Sequence, residues 1–251
     1  MFGGMLGVKP RPFRRLPARV AAALVLVALG LTSGPLRAGG SSTLKGKVTG
    51  WDKLLPQTYQ DASKADSHRF TWREPSPTVK QDFRRLSATV SKDVCVAAFG
   101  GGGAAAQDSQ RVFVSGERVS PSTIVVSPGS RLSMKNADPF PHALYEVGNA
   151  SWGPNPTAPG SSRDWAASAT GVHVIRDQLF PSLVMYIVVD AAAVGATFPD
   201  RDGTFTMSLP PGDYTIKAFF DGKPVGKPLD GVHLGDKDLE IKDPMSIGDA
   251  K

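Results

Sequence analysis

A single cysteine, Cys95, stands among 251 residues, so no disulfide can close within the chain. Its immediate neighbours in the run DVCVAAF, Val94 and Val96, carry no charge that would lower a thiol pKa. The run reads as a strand holding a buried structural thiol, with a reactive nucleophile as the alternative. Long apolar runs of 3.6-residue period are lacking past residue 31, which argues against a helical architecture. A Gly-x-Ser-x-Gly elbow and a His-Glu-x-x-His helix are lacking too, and the chain is not expected to be an enzyme. Net charge is the last scarcity. Lys9, Arg11, Arg14, Arg15, Arg19 and Arg37 stand in residues 1–38 with no acid, and these six equal the whole excess of 29 basic over 23 acidic residues. Residues 39–251 are therefore neutral overall, which removes the main electrostatic case for a nucleic-acid partner.

What is present begins with a basic segment, KPRPFRRLPAR, and an apolar run, VAAALVLVALGL, that is short for a membrane-spanning helix. The small residues of SGPLRAGG follow. This is the layout of a secretory signal over 1–38 with cleavage near Ala38, an uncleaved anchor being the alternative. The expected location is periplasmic or extracellular, with no membrane association once the leader is removed.

Past the leader, short Val/Ile-rich stretches alternate with Pro, Gly, Ser and Asp clusters, and an all-β chain is expected. Residues 39–93 read as an N-terminal β/irregular segment, in which STLKGKVTGW is a strand and Thr78 to Val90 admits a helical turn or two. The glycine run after DVCVAAF lacks the Lys-Ser/Thr of a phosphate-binding loop and reads as a connection between strands. RVFVSG, STIVVS, RLSMKNA, GVHVIRD and LVMYIVVD read as strands, and Gly148 to Asp164 as one long loop. TFTMSL, YTIKAFF and VHLGDKDLEIKD continue the β pattern, and PMSIGDAK looks like a loose tail. Asp200-Arg201-Asp202-Gly203 has half the acids of a calcium loop but no closing glutamate, so it reads as a turn.

The stretches TIVVSPGSRLSMKNADPFPH and MYIVVD, the latter running on to DRDGTFTMSLPPGDYTIKAFF, resemble secreted bacterial proteins of the methylamine-utilisation or plastocyanin-like type. The resemblance implies a cupredoxin-like Greek-key β-sandwich over 94–190. It implies a transthyretin-like or carboxypeptidase regulatory-like β-module over 191–243, which leaves 244–251 as the tail read above. That family's copper loop has the form Cys-x-x-His-Pro-x-Met. Laid on this sequence, it puts Asp177 at the cysteine, Phe180 at the second histidine, Pro181 at the proline and Leu183 at the methionine, while His142 matches the first histidine. A blue-copper centre needs two histidines, a thiolate and a weak axial ligand. Phe180 and Leu183 cannot coordinate, so the resemblance implies a retained fold with the copper chemistry lost and no cofactor bound.

Two functions stay open. One is a non-enzymatic binding or structural module contacting protein or carbohydrate, with Trp152 and Trp165 as platforms or as core residues. The other is a metal-binding or electron-transfer protein that holds copper with an altered ligand set of His142, His173 and Asp177. His173 and Asp177 fall on one face of a strand, because side-chain direction repeats every two residues.

Overall fold

The computed structural model describes residues 40–57, 87–100 and 110–248. The expected leader, the glycine-rich connection and all but the end of the 78–90 turn lie outside the described residues; from Val90 to Asp93 the chain does make one helical turn. Among the described residues no helix is long and apolar enough to cross a membrane.

Seventeen strands follow one another along the described chain. The first two are β1, Ser42–Thr49, and β2, Val94–Gly100. Nine more run from Gln110 to Val189: β3 Gln110–Ser115, β4 Arg118–Ser120, β5 Thr123–Val126, β6 Arg131–Asn136, β7 His142–Glu146, β8 Asn155–Thr157, β9 Ser162–Ala166, β10 Gly171–Asp177 and β11 Val184–Val189. The last six are β12 Ala193–Thr197, β13 Thr204–Leu209, β14 Gly212–Phe220, β15 Lys223–Leu234, β16 Leu239–Glu240 and β17 Met245–Ser246.

The fold is all-β and has four sheets. The order β4-β3-β6-β9 faces β5-β11-β10-β7-β8 across a core of Val112, Leu132, Met134, Ile124, Leu144, Ile175, Met185 and Ile187. This first sandwich contains two parallel pairs, β3 with β6 and β5 with β11, and its chain crosses repeatedly between sheets in Greek-key manner. The order β12-β2-β14-β15 faces β13-β1-β16, with β17 also on β1, across a second core built on Leu44, Val48, Phe205, Leu209 and Ile216.

The two inner sheets pack on each other, and the sequence shows why. In β2, Val94, Val96 and Ala98 enter the second core, while Cys95, Ala97 and Phe99 enter a separate cluster with Val125, Val188, Ala193 and Phe219. In β5, Ile124 and Val126 enter the first core and Val125 meets Cys95 and its neighbours. A strand buried on both faces has no polar alternation to keep, so it reads as a continuous apolar run. Each fully buried Val, Leu, Ile or Phe contributes about 1.5–3 kcal/mol, and the inner strands collect this on both faces.

Three expected boundaries need correction. Strand β2 belongs to the second sandwich, not to the 94–190 unit: it pairs antiparallel with β14 and β12. Strand β1, assigned to an N-terminal segment over 39–93, pairs with β13, so the second sandwich is assembled from both ends of the described chain rather than from 191–243 alone. The 244–251 tail is not loose as a whole, because β17 pairs with β1 and buries Met245 beside Ile247. The physical reason is shared. Each of these strands carries an apolar face that local turns cannot cover, and only a distant strand completes the layer. The stretch from Gly148 to Asp164 is also not one loop; it contains a 3-10 turn, β8 and the start of β9.

Candidate functional site

At one end of the first sandwich three connections meet over His142. The first is the β3–β4 hairpin, whose two turn residues Gly116 and Glu117 both have positive φ, 61° and 59°. That is the geometry of a tight two-residue hairpin, and it is the glycine that takes it without strain. The second is the β6–β7 connection NADPFP. Asn136 shapes it by accepting the Asp138 N–H at 2.9 Å and donating to the carbonyls of Phe140 and Thr157 at 2.8 and 2.9 Å. The third is the β10–β11 connection from Gln178 to Leu183.

His142 is the first residue of β7 and is fully buried. Its Nδ1 lies 2.6 Å from Asp177 Oδ2, and its Nε2 lies 3.0 Å from Asp138 Oδ2. The other oxygen of Asp177 accepts from the amides of Leu179, Phe180 and Ala143 at 2.7, 3.2 and 3.3 Å. Asp138 accepts from the amides of Gly116 and Glu117 at 2.6 and 3.1 Å. Each nitrogen of the ring is thus engaged by a carboxylate oxygen. Burial opposes the charge of Asp138, but the Gly116 and Glu117 amides and His142 outweigh it and hold the carboxyl below its ordinary value. Phe180 and Phe140 cover the imidazole, with ring centroids 4.9 and 5.4 Å from it and 5.0 Å from each other. Leu183 points into the first core and is 1% exposed.

His173 is elsewhere. It lies on β10 with Asp177, as its spacing required, but β10 runs antiparallel to β7 and carries it to the far end. There its Nδ1 is 2.6 Å from Glu146 Oε1 and its Nε2 is 3.0 Å from the Ala169 carbonyl. Glu146 and His142 are four residues apart on β7, about 13 Å at strand spacing. The expected trio therefore divides: His142 and Asp177 meet, and His173 does not join them. Burial opposes the charge of Glu146, but His173, the Trp165 indole N–H and the Asn149 amide overcome that and hold its carboxyl low. Trp165 is buried and packs edge-on against His173, so it offers no platform. Trp152 has one face covered by the Arg163 guanidinium, 3.8 Å from the ring centroid. Cys95 sits between the inner sheets, where burial pushes its thiol up to about 12, partly offset by a backbone hydrogen bond at Val125.

The cluster does not fit a metal ion. Two ligand atoms on one tetrahedral zinc or similar ion stand roughly 3.3 Å apart with the ion between them. His142 Nδ1 and Asp177 Oδ2 are 2.6 Å apart in a direct hydrogen bond, and Asp138 engages the other nitrogen. Among the described residues no group of three or more His, Cys, Asp or Glu side chains is arranged to hold a metal. Sequence reasoning missed Asp138 and Glu146. The signal for Asp138 was present in NADPFPH, where an Asn two residues ahead shapes the turn that aims it.

No family model matches the chain, and no curated protein matches it. Among solved structures it is similar to a purple cupredoxin from Nitrosopumilus maritimus, with 15% identity over 32% of this chain and 99% of that one, at a TM-score of 0.28. A copper(I) form of an amicyanin variant aligns with 39% of this chain and 100% of its own, at 13% identity and a TM-score of 0.30. A copper-containing nitrite reductase from Thermus scotoductus SA-01 aligns over 37% of this chain and 25% of its own, at 18% identity and a TM-score of 0.29. These likenesses concern fold alone. The sandwich architecture described above rests on the strand order of this chain.

Proposed function

We propose that this chain is a non-enzymatic binding module in which a proton-bound Asp138–His142–Asp177 cluster stands at the position of a lost copper site. The single observation that carries the reading is the occupation of both His142 nitrogens by carboxylates. A fully buried imidazole so held has both nitrogens engaged, with neither free for a metal, and no contact with a nucleophile. The hydrogen-bond partners of His142 and His173 are carboxylates and a carbonyl, none of them a hydroxyl or thiol.

What the cluster does is hold loops. Four backbone amides from two connections and one from β7 converge on its two carboxylates, and two apolar tips rest on it. One tip is Pro139, Phe140 and Pro141; the other is Leu179, Phe180 and Pro181, with Leu179 52% exposed. Apolar side chains on a rigid base lose little entropy on contact, which suits a protein-binding surface. The second sandwich, with its likeness in sequence to carboxypeptidase regulatory-like modules, is a rigid companion in this reading, and the site of action is periplasmic or extracellular. Placing a photo-crosslinking residue at Leu179 of the full chain, in the producing cell, tests the contact. A discrete adduct at Leu179, absent when the same group stands at exposed Val172, is expected. Equal labelling at both positions would remove the case for these tips.

A further inference from the structure

The outward face of the β4-β3-β6-β9 sheet is basic, although residues 39–251 are neutral overall. Its exposed positions include Arg111 and Phe113 on β3, Arg131 and Lys135 on β6, and Arg118 on β4, against a single acid, Asp164 on β9. Phe113 is 44% exposed and lies directly beside Lys135 in the β3–β6 register. Arg111 is paired with Ser133, which has Arg131 and Lys135 two residues to either side on the same face. Strand spacing brings Arg111 to roughly 8 Å of each of the other two at Cα, while Arg131 and Lys135 stand about 13 Å apart along β6. No ion pair engages Arg111, Arg131 or Lys135 among the described residues. Ser115, Ser133 and Ser162 add hydroxyls to the same face.

We propose that this face docks an anionic polysaccharide, a chain of pyranose rings bearing carboxylates. The cations meet the carboxylates, the hydroxyls meet ring hydroxyls, and Phe113 packs on the C–H face of one ring. A folded protein partner would call for an apolar centre depleted of charge, whereas here one aromatic stands inside a ring of charge. Single-stranded nucleic acid would call for successive aromatics to stack successive bases. The proposal is independent of the His142 cluster and its loop tips.

Isothermal titration of the full chain at ~150 mM salt with polygalacturonate, dextran, polyglutamate and a single-stranded oligonucleotide tests it. Binding to polygalacturonate is expected, none to dextran, and at least about tenfold weaker binding to the other two polyanions. The double change Arg111→Ser, Lys135→Ser should weaken polygalacturonate binding about tenfold. Phe113→Ser should weaken it several-fold while leaving the salt dependence unchanged, since that slope counts charges alone. Equal affinity for all three polyanions, no binding of polygalacturonate, or indifference to both variants would overturn the proposal.

Discussion

The two histidine clusters of the first sandwich, one buried and one half-buried, share one contact and differ in everything it anchors. In each, the imidazole Nδ1 lies 2.6 Å from a carboxylate oxygen. Around His142 the second nitrogen meets another carboxylate, and four amides from two loops with one from β7 complete the shell. Around His173 the second nitrogen meets a backbone carbonyl, and the carboxylate is finished by the side chains of Trp165 and Asn149. The His142 side chain is 0% exposed and the His173 side chain 14%. The same pair thus does different work: one fixes the course of three connections, the other secures a strand to its neighbours.

The largest effect that could sharpen this contrast is a gain of colour. In the triple variant Asp177→Cys, Phe180→His, Leu183→Met, the retained Asp138 would accept from His142 Nε2 and turn Nδ1 toward the new thiolate. Copper(II) should then give an intense visible band that the parent protein lacks. A folded variant that stays colourless would mean that these positions do not form a trigonal set.

Next in size is the loss of a ring. His142→Ala leaves Asp138 and Asp177 buried without their shared donor, and should cost about 3–5 kcal/mol in urea unfolding. His173→Ala breaks a less enclosed pair and should cost about 1–2 kcal/mol. Equal costs would erase the distinction drawn between the clusters.

Acid should act on both. The carboxyls of Asp138 and Glu146 are held below their ordinary values of 3.8 and 4.5. A depressed folded pKa gives stability that is complete above the ordinary value and is lost as pH falls through the folded one. Urea midpoints taken from about pH 6 to pH 3 should therefore decline, and Asp138→Asn should flatten the decline. A decline of unchanged steepness in that variant would assign the acid sensitivity to other groups.

The smallest effect is at Cys95. With its thiol pushed up to about 12 and enclosed between the inner sheets, it should resist alkylation near neutral pH until the two sandwiches separate or unfold. Mass spectrometry after iodoacetamide treatment reads this directly, and rapid modification of native protein would contradict the packing.

These outcomes bear on what the sequence made legible. The strands were visible because turns rich in Pro, Gly, Ser and Asp bracket runs such as TIVV and TFTMSL, and the meeting of His142 with Asp177 was implied by the resemblance to the plastocyanin-like copper loop. The division of residues between sandwiches was not visible. Strand β2 reads as a uniform apolar run, which says that both its faces are covered but not by what. The separation of His173 from Asp177 was hidden for a related reason: strand periodicity fixes the face, while the pairing partner fixes which end of the sheet each residue reaches. Trp165 could not be told from an exposed platform, because its alternating neighbours in SRDWA fit either side of a sheet.

The central claim, that a hydrogen-bonded ring stands at a former metal position, is tested most directly by following the histidine side-chain nitrogens by NMR while copper(II) or zinc is added. The account predicts that the signals of both His142 nitrogens stay unmoved at stoichiometric metal. Selective shift or broadening of either signal at one equivalent would contradict it.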